Sequence, residues 1–387
     1  MTVPRLTSLR IQGYRPFGDF TAKFGALELL VGANGSGKSA LFEFLKFLRD
    51  GIYQDIPPEI IAGSIGQEIF HRPGPDRFWW SVEIDFRQTY PLRYQGQLDG
   101  PIGRTRVSFE RVLTVPPKNT SALVFLDMNG SNGVIRNETG KHEAQQVQLG
   151  RPNQLALGTI SNPALVTLSQ LRDHIINWRF YSSFNIDNNL IRRPVAIEQE
   201  PLLREDGGNL SAVLFYLLSE QPHAFADLQT VLRTTVPGFH GLTVKARGRG
   251  EVMTFWQEGG IDDELSLADL SDGTLRLLCW AVLGVHQKPP TLIGIDEPDQ
   301  GLHPRTLPIL AGLFQKASEH TQVLLATHAS YFLTQFPLEQ MAIMRKQNGE
   351  AIFAKPSDSQ LMRDLLEDFG TDELEHLHRS DELEQFS

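Results

Sequence analysis

The segment 32–39, GANGSGKS, constrains the fold more than any other part of the chain. It matches the pattern G-x-x-x-x-G-K-[ST], in which glycines let backbone N–H groups turn inward around a phosphate. A short apolar run of strand type, 27–31, precedes it. Apolar side chains then recur at helical spacing, at Leu41, Phe44, Leu45 and Leu48. The sequence therefore predicts a buried strand, a phosphate-binding loop and a helix N-terminus in that order, which is a nucleoside triphosphate site.

This loop supplies the first set of predicted site residues. The predicted nucleotide contacts are Gly32, Asn34, Gly35, Ser36, Gly37, Lys38, Ser39 and Ala40. We expect Lys38 to reach the β- and γ-phosphates and to act in catalysis, and Ser39 to bind Mg²⁺. The predicted cofactors are therefore ATP and Mg²⁺.

Two further apolar strands end in polar residues. The run 291–295 is followed by Asp296 and Glu297, and the run 323–326 is followed by Thr327 and His328. In an open α/β sheet, ligands bind outside the carboxyl ends of the strands, so these side chains should meet at one rim. We assign Asp296 to the metal and Glu297 to the general base that activates water. His328 is expected to donate to the γ-phosphate and to sense its presence.

Composition excludes several classes of protein. The chain has 387 residues, of which 41% are hydrophobic, and Cys279 is its only cysteine. An intrachain disulfide and a cysteine-rich metal site are excluded, and no apolar stretch approaches membrane-spanning length. The N-terminal residues lack a signal-peptide core, so a cytoplasmic protein without a membrane partner is expected.

Negative charge is concentrated at the C-terminus. The net charge is −10, and residues 356–387 hold ten acidic residues against two arginines. Because the preceding part is nearly neutral, the overall acidity does not exclude nucleic acid, whose binding depends on a local basic face. The tail is interpreted as a solvated helix or a partly disordered segment, with a docking peptide as the alternative.

The remaining sequence alternates strand-like and helical segments. Strands are predicted at 6–12, 19–24, 78–86, 92–98, 107–115, 123–128, 242–246 and 252–256. Helices are predicted at 165–179, after a cap at Asn209, and at 225–236, and 141–157 is interpreted as a mobile loop. Of the adjacent Trp79 and Trp80, one ring is expected to face the core, although a base-stacking role is the alternative. The helical segments are too short for a long coiled-coil arm.

Four motifs together resemble a known family. Residues 270–276, LSDGTLR, resemble the signature of ABC-type ATPases, with Asp272 and Thr274 in place of a glycine and a glutamine. The stretches 297–304, EPDQGLHP, and 326–330, ATHAS, match the acid with its D-loop and the switch histidine, and 11–17 matches an N-terminal strand and turn. The chain thus resembles the RecF/SMC-like branch of ABC-type ATPases, in the group of compact ATPases often labelled AAA family.

The resemblance implies a fold and a division of the chain. The implied fold is an α/β, ABC-type P-loop head with a mixed sheet core, an antiparallel β side-layer, a short helical insertion and no long coiled coil. The expected N-terminal lobe is 1–140, the polar loop and helical insertion 141–240, the C-terminal lobe 241–355 and the acidic tail 356–387. The glutamine that senses Mg²⁺ in this family is left open among Gln67, Gln88 and Gln154.

The resemblance also implies a working dimer. Arg15 is expected near the nucleotide, while Ser271 and Gly273 are expected to bind the γ-phosphate held by a second copy. Hydrolysis would then be slow and dependent on the homodimer. The function interpreted first is a DNA-associated role in maintenance or repair, and the alternative is an ATPase subunit of an antiphage defence system that controls a separate effector such as a nuclease. A transporter motor is disfavoured, because strand-like segments precede the signature.

Basic residues for DNA contact have two interpretations. The candidates are Arg87, Arg93, Arg104, Arg106, Arg111, Lys245, Arg247 and Arg249. Arginines at alternate strand positions could form a basic stripe for DNA, but exposed strands also carry arginine for solubility.

Overall fold

Three β-sheets organise the part of the chain that the structure describes. A computed structural model describes residues 3–56, 69–87, 90–100, 104–137, 144–182, 184 and 190–359. The strands are β1 (Arg5–Tyr14), β2 (Phe17–Lys23), β3 (Leu27–Val31), β4 (Arg77–Asp85), β5 (Leu92–Asp99), β6 (Arg106–Thr114), β7 (Val124–Asn129), β8 (Asn132–Ile135), β9 (Gln145–Gln148), β10 (Trp178–Tyr181), β11 (Val195–Ala196), β12 (Phe239–Gly248), β13 (Glu251–Glu258), β14 (Leu265–Ser266), β15 (Leu292–Asp296), β16 (Gln322–Thr327), β17 (Met341–Gln347) and β18 (Glu350–Ala354). The helices are α1 (Lys38–Tyr53), α2 (Val166–Ile176), α3 (Leu210–Glu220), α4 (Pro222–Thr235), α5 (Asp272–Val285), α6 (Leu307–Ala317) and α7 (Ser330–Leu333).

The central sheet has the strand order β10-β15-β16-β3-β17-β18. All of its neighbouring pairs are parallel except β17 with β18. Strands β3 and β16 are buried along their whole length, as expected for parallel strands that are covered on both faces. Because β16 pairs with β15 on one side and with β3 on the other, the carboxyl ends of these three strands lie side by side.

An eight-stranded antiparallel sheet of order β2-β1-β4-β5-β6-β7-β8-β9 forms the side-layer. In β4 the two tryptophans alternate as predicted: Trp80 has no exposed surface, whereas Trp79 is only partly buried. Trp80 pairs with Gly96 of β5, where a Cβ would lie 2.2 Å from the indole ring. The packing role of Trp80 is thereby confirmed.

The third sheet, β11-β13-β12 with β14 paired to β13, accompanies helices α3 and α4. Apolar residues of α3, α4, α5 and α6 share one core with one face of the central sheet. Within the described residues the longest helix is α1, with 16 residues, so the expected lack of a long coiled coil is confirmed there. None of the helices in the described ranges is long and apolar enough to cross a membrane. The division of the chain into four segments, with three boundaries, remains a prediction.

Three local predictions were wrong. The segment 141–157 is not wholly a loop: it contains β9, and Leu155, Ala156 and Leu157 are buried. The helix predicted at 165–179 ends at Ile176, because the chain turns there to begin the edge strand β10. Asn209 precedes α3 but does not cap it with its side chain, which bonds to the backbone of residues 202 and 204 and to Glu198 instead.

A buried carboxyl group joins the side-layer to the end of the segment 141–157. Glu110 of β6 has no exposed surface and accepts hydrogen bonds from the Tyr94 hydroxyl at 3.1 Å, from the Leu157 amide at 3.0 Å and from the Ala156 amide. Burial raises the pKa of Glu110 to about 7, although the three donors oppose this shift. Glu110 therefore fixes the backbone at Ala156 and Leu157, which is not held by pairing with a strand.

We predict that Glu110→Gln lowers the free energy of unfolding by about 1–3 kcal/mol at pH 5, because the amide nitrogen cannot accept from a backbone N–H group. The folded-state pKa of about 7 lies above the ordinary value of 4.5, so the contribution of Glu110 is complete below about pH 4.5 and declines as the pH rises through 7. The difference between the two proteins should thus narrow between pH 5 and pH 8. Urea unfolding would measure it, with exposed Glu319→Gln as the control; a gap that widens with pH would contradict this account.

Candidate active site

The predicted loop and the predicted acids meet at the carboxyl edge of the central sheet. The hydroxyl of Ser39, at the start of α1, donates to Asp296 Oδ2 at 2.8 Å. These residues are 257 positions apart in the chain. They meet because Leu30 of β3 and Asp296 of β15 both pair with Ala326 of β16.

The loop conformation depends on its glycines. Gly32 has φ +154°, and a Cβ there would lie 1.9 Å from the Met344 carbonyl oxygen of β17. Gly37 has φ +109° and is the residue before α1. No acidic residue lies in the first turn of α1, so its N–H groups and dipole present positive potential to the loop.

The Lys38 ammonium lies within the loop. It donates to the carbonyl oxygens of Gly32, at 2.6 Å, and Ala33, at 3.1 Å, and to Ser36 Oγ at 3.4 Å. Lys38 is 4% exposed and Ser36 is 3% exposed. Ser36 therefore contacts Lys38 beneath the surface of the loop.

A cleft of about 710 Å³ opens above this edge. The predicted residues that line it are Arg15, Asn34, Gly35, Gly37, Lys38, Ser39, Ala40, Asp296, Glu297 and His328. Gly32 and Ser36 lie in the loop but are not among its lining residues, and neither are Ser271 and Gly273. The structure thus brings ten predicted side chains or backbone groups to one cavity.

Glu297 and His328 face each other across neighbouring strand ends. Glu297 has φ +53°, and its amide donates to the Ala326 carbonyl at 2.8 Å. Glu297 Oε1 lies 3.6 Å from His328 Nε2. Burial lowers the pKa of His328, and the Lys38 ammonium lowers it further, while the carboxylates of Glu297, Asp296 and Asp299 oppose this. His328 is therefore largely neutral at neutral pH and can donate one hydrogen bond without carrying a charge.

Arg15 also lines the cleft, at the turn between β1 and β2. It has φ +45°, and its guanidinium pairs with Glu43 of α1. Its amide donates to the Ile69 carbonyl at 2.9 Å. Arg15 is thus held between Glu43 of the phosphate-loop helix and the backbone of Ile69.

Sequence reasoning missed several residues of this cleft. Phe70, His71, Arg72 and Lys346 also line the cleft. His71 Nδ1 bonds to the Arg15 carbonyl at 2.8 Å. These residues follow no motif. Phe70 pairs with Tyr14 and the His71 amide donates to the Gly13 carbonyl at 2.8 Å, whereas Lys346 lies on β17 of the central sheet. No signal in the sequence could have identified them.

The signature residues occupy a separate surface. Ser271 is exposed and caps α5, where its Oγ accepts from the Thr274 amide at 3.2 Å. Arg192 pairs with Asp272 at 2.8 Å. A Cβ on Gly273 would lie 2.8 Å from the Gly301 carbonyl, so glycine permits close contact with the turn that follows β15. Ser271 and Asp272, at the N-terminus of α5, are exposed in the single chain.

Of the three glutamines considered as the Mg²⁺ sensor, only Gln154 lies within the described residues. Gln67 and Gln88 lie outside the described residues. Gln154 donates to Asp55 at 2.8 Å and is not among the residues that line the cleft. In the described ranges, no group of three or more His, Cys, Asp or Glu side chains could hold a metal ion.

We predict that Gly32→Ala lowers the free energy of unfolding by about 1–3 kcal/mol, because its methyl group would collide with the backbone of β17. ATP affinity should fall as well, since the loop must move away from Met344. Thermal unfolding and binding of a fluorescent ATP analogue would measure both effects. Gly312→Ala, on α6 with open space around it, is the matched control and should lower neither property, since alanine favours a helix more than glycine does.

Comparisons with known proteins agree with this geometry. The family model described as "AAA domain, putative AbiEii toxin, Type IV TA system" matches residues 96–334, and a second model described as "AAA domain" matches residues 8–100. A search of curated proteins found no match.

Two solved structures are similar over almost their full length. One is an Smc head bound to the C-winged helix domain of ScpA, with 13% identity, a TM-score of 0.58, and coverage of 90% of this chain and 97% of that chain. The other is an Smc head domain with an extended coiled coil, bound to the C-terminal domain of ScpA, derived from Pyrococcus furiosus. It shows 14% identity, a TM-score of 0.57, and coverage of 94% and 99%. The fold class expected from the sequence is thereby confirmed.

The first family model spans more than half of the chain, and the second matches the part that contains the phosphate loop. The chain belongs to this AAA-domain family, and it has the fold of Smc head domains, as expected from its resemblance to SMC/RecF-like ABC-type ATPases.

Proposed function

We propose that this cleft binds ATP with Mg²⁺ and catalyses attack of water on the γ-phosphate, which breaks its bond to the β-phosphate and gives ADP and phosphate. The observation that carries the proposal is the 2.8 Å contact between Ser39 Oγ and Asp296 Oδ2 beside the N-terminus of α1. A hydroxyl and a carboxylate oxygen side by side suit Mg²⁺, a hard cation that takes oxygen ligands. Bound there, Mg²⁺ would neutralise charge that develops on the phosphate oxygens.

The residues of the chain divide the remaining work. Lys38, which bonds to carbonyl oxygens of its own loop, can exchange them for phosphate oxygens, because both are acceptors within reach of its flexible stem. Glu297 accepts a proton from the attacking water as general base. Neutral His328 donates to the γ-phosphate, since its depressed pKa leaves one N–H group available. Arg15, which lines the same cleft and pairs with Glu43 of α1, contacts the nucleotide.

Ser271 and Gly273 act, in this proposal, on nucleotide held by a second copy. They do not line the cleft of their own chain, and the N-terminus of α5 is exposed. Exposed amides at a helix N-terminus form a favourable site for a phosphate. An ATP-bound homodimer would therefore bury two such sites, and loss of the γ-phosphate would let the two copies separate.

We further propose that this cycle controls a separate effector rather than acting on DNA through the predicted arginine stripe. The description of the matched family as an AbiEii-like toxin domain supports a role in defence. Five of the eight basic residues proposed for DNA lie beside an acidic partner, as Arg87–Asp85, Arg93–Glu83, Arg106–Asp99, Arg111–Asp127 and Lys245–Glu264. Local neutralisation weakens the basic face that phosphate binding requires.

We predict that Glu297→Gln binds ATP, loses hydrolysis by at least about a hundredfold, and accumulates as a dimer, because the contact-making phosphate is no longer removed. Phosphate release, light scattering and identification of co-purifying macromolecules would measure this. A retained protein would support control of an effector, whereas DNA released steeply by salt would support the DNA-associated role instead. A monomer at saturating ATP would contradict the proposed cycle.

We also predict that Ser271→Arg prevents the ATP-dependent dimer and lowers hydrolysis while ATP affinity stays unchanged. The bulky, charged arginine side chain would occupy the surface that contacts the second copy. The cleft of its own chain is lined by other residues and should be unaffected. Ser219→Arg, at an exposed position on α3, is the matched control. Equal loss of ATP affinity in isolated Ser271→Arg monomers would show that Ser271 acts in its own subunit.

A further inference from the structure

The chain makes a tight turn directly after Glu297. The Gln300 amide donates to the Glu297 carbonyl at 3.1 Å, and the Leu302 amide donates to the Asp299 carbonyl at 3.1 Å. Glu297 itself, with φ +53°, lies in the left-handed region, which residues other than glycine rarely occupy. Such a conformation persists only where the surrounding structure holds it in place.

One side-chain contact holds this turn against the neighbouring strand. Thr327 Oγ1 donates to Asp299 Oδ1 at 2.6 Å. The same Thr327 oxygen accepts from the Ala329 amide at 3.0 Å, and Thr327 has no exposed surface. Because its donor and its acceptor are both engaged, the Thr327 hydroxyl has a defined direction, and it lies next to His328.

The other side of the turn packs against the signature helix. Gly301 has φ +75°, and a Cβ there would lie 2.2 Å from Arg276 Nη1 of α5. Arg276 Nη1 donates to the Gln300 carbonyl at 3.4 Å. The turn therefore has little room to shift toward α5.

We propose that Asp299 is a positioning residue, which bonds to Thr327 and thereby keeps the Glu297 carboxylate directed into the cleft. Asp299 does not line the cleft, so it acts through Glu297 and not on the nucleotide. This inference rests on the proposed role of Glu297 as general base. It predicts a specific defect in the chemical step, because a base displaced by about 1 Å can lose up to a hundredfold in rate while substrate contacts persist.

Two pairs of variants of the full chain test the proposal. Asp299→Ala and Thr327→Val each remove the hydrogen bond, whereas Asp299→Asn and Thr327→Ser keep an acceptor and a donor at these positions. Steady-state hydrolysis gives kcat and KM for ATP, and thermal unfolding checks that each variant folds. The double variant Asp299→Ala with Thr327→Val tests whether the two residues act as one unit.

We expect Asp299→Ala and Thr327→Val to lower kcat by at least about tenfold with KM nearly unchanged. The two conservative variants should recover most of the rate, and the double variant should be no slower than either single one. Unchanged kcat in Asp299→Ala, an equal defect in Asp299→Asn, or losses that multiply in the double variant would overturn the inference while leaving the proposed function intact. A wild-type chain without hydrolysis would overturn the proposed function itself, and this inference with it.

Discussion

The site depends on the parallel pairing of β16 with β15 on one side and with β3 on the other, two strands that are far apart in the chain. This pairing sets the end of β3 level with the end of β15, and the Ser39 hydroxyl consequently reaches Asp296 at 2.8 Å. A slip of one residue along β15 would turn Asp296 to the opposite face of the sheet, because side chains alternate along a strand. Continuous burial of β3 and β16 disfavours such slippage, since both faces of these strands are packed.

Backbone conformation, rather than side-chain chemistry alone, gives the edge of the sheet its shape. Gly32 fits against the Met344 carbonyl where no Cβ could, and Glu297 adopts a left-handed conformation directly after the strand. Gly32 follows β3 and leads to α1, whereas Glu297 follows β15, on the other side of β16, and leads to the turn at Asp299. The cleft lies between them, which explains how one rim can present an ammonium, a hydroxyl and two carboxylates without placing any of them in the apolar core.

The antiparallel side-layer contributes in a different way. Its turn between β1 and β2 carries Arg15 to the cleft, and the short pairing of Tyr14 with Phe70 brings His71 to the same cleft. Most of its arginines, in contrast, lie beside acids on adjacent strand positions or neighbouring strands. Alternation of side chains thus predicted the exposed face of this sheet correctly but could not reveal its charge, because the partner acids come from the strand register.

The sequence by itself determined the phosphate loop, the three strands that end at the rim, Ser39, Asp296, Glu297 and His328, and the fold class, because each rests on local spacing or on a motif. Three predictions were wrong: the end of α2, the side-chain cap at Asn209, and the interpretation of 141–157 as a loop throughout. At these places contacts with other segments outweigh local preference. Only the tertiary structure decided that Phe70, His71, Arg72 and Lys346 share the cleft, and that Asp299 bonds to Thr327. Those contacts join segments far apart in the chain, and their geometry follows from strand register and packing, which no local pattern encodes.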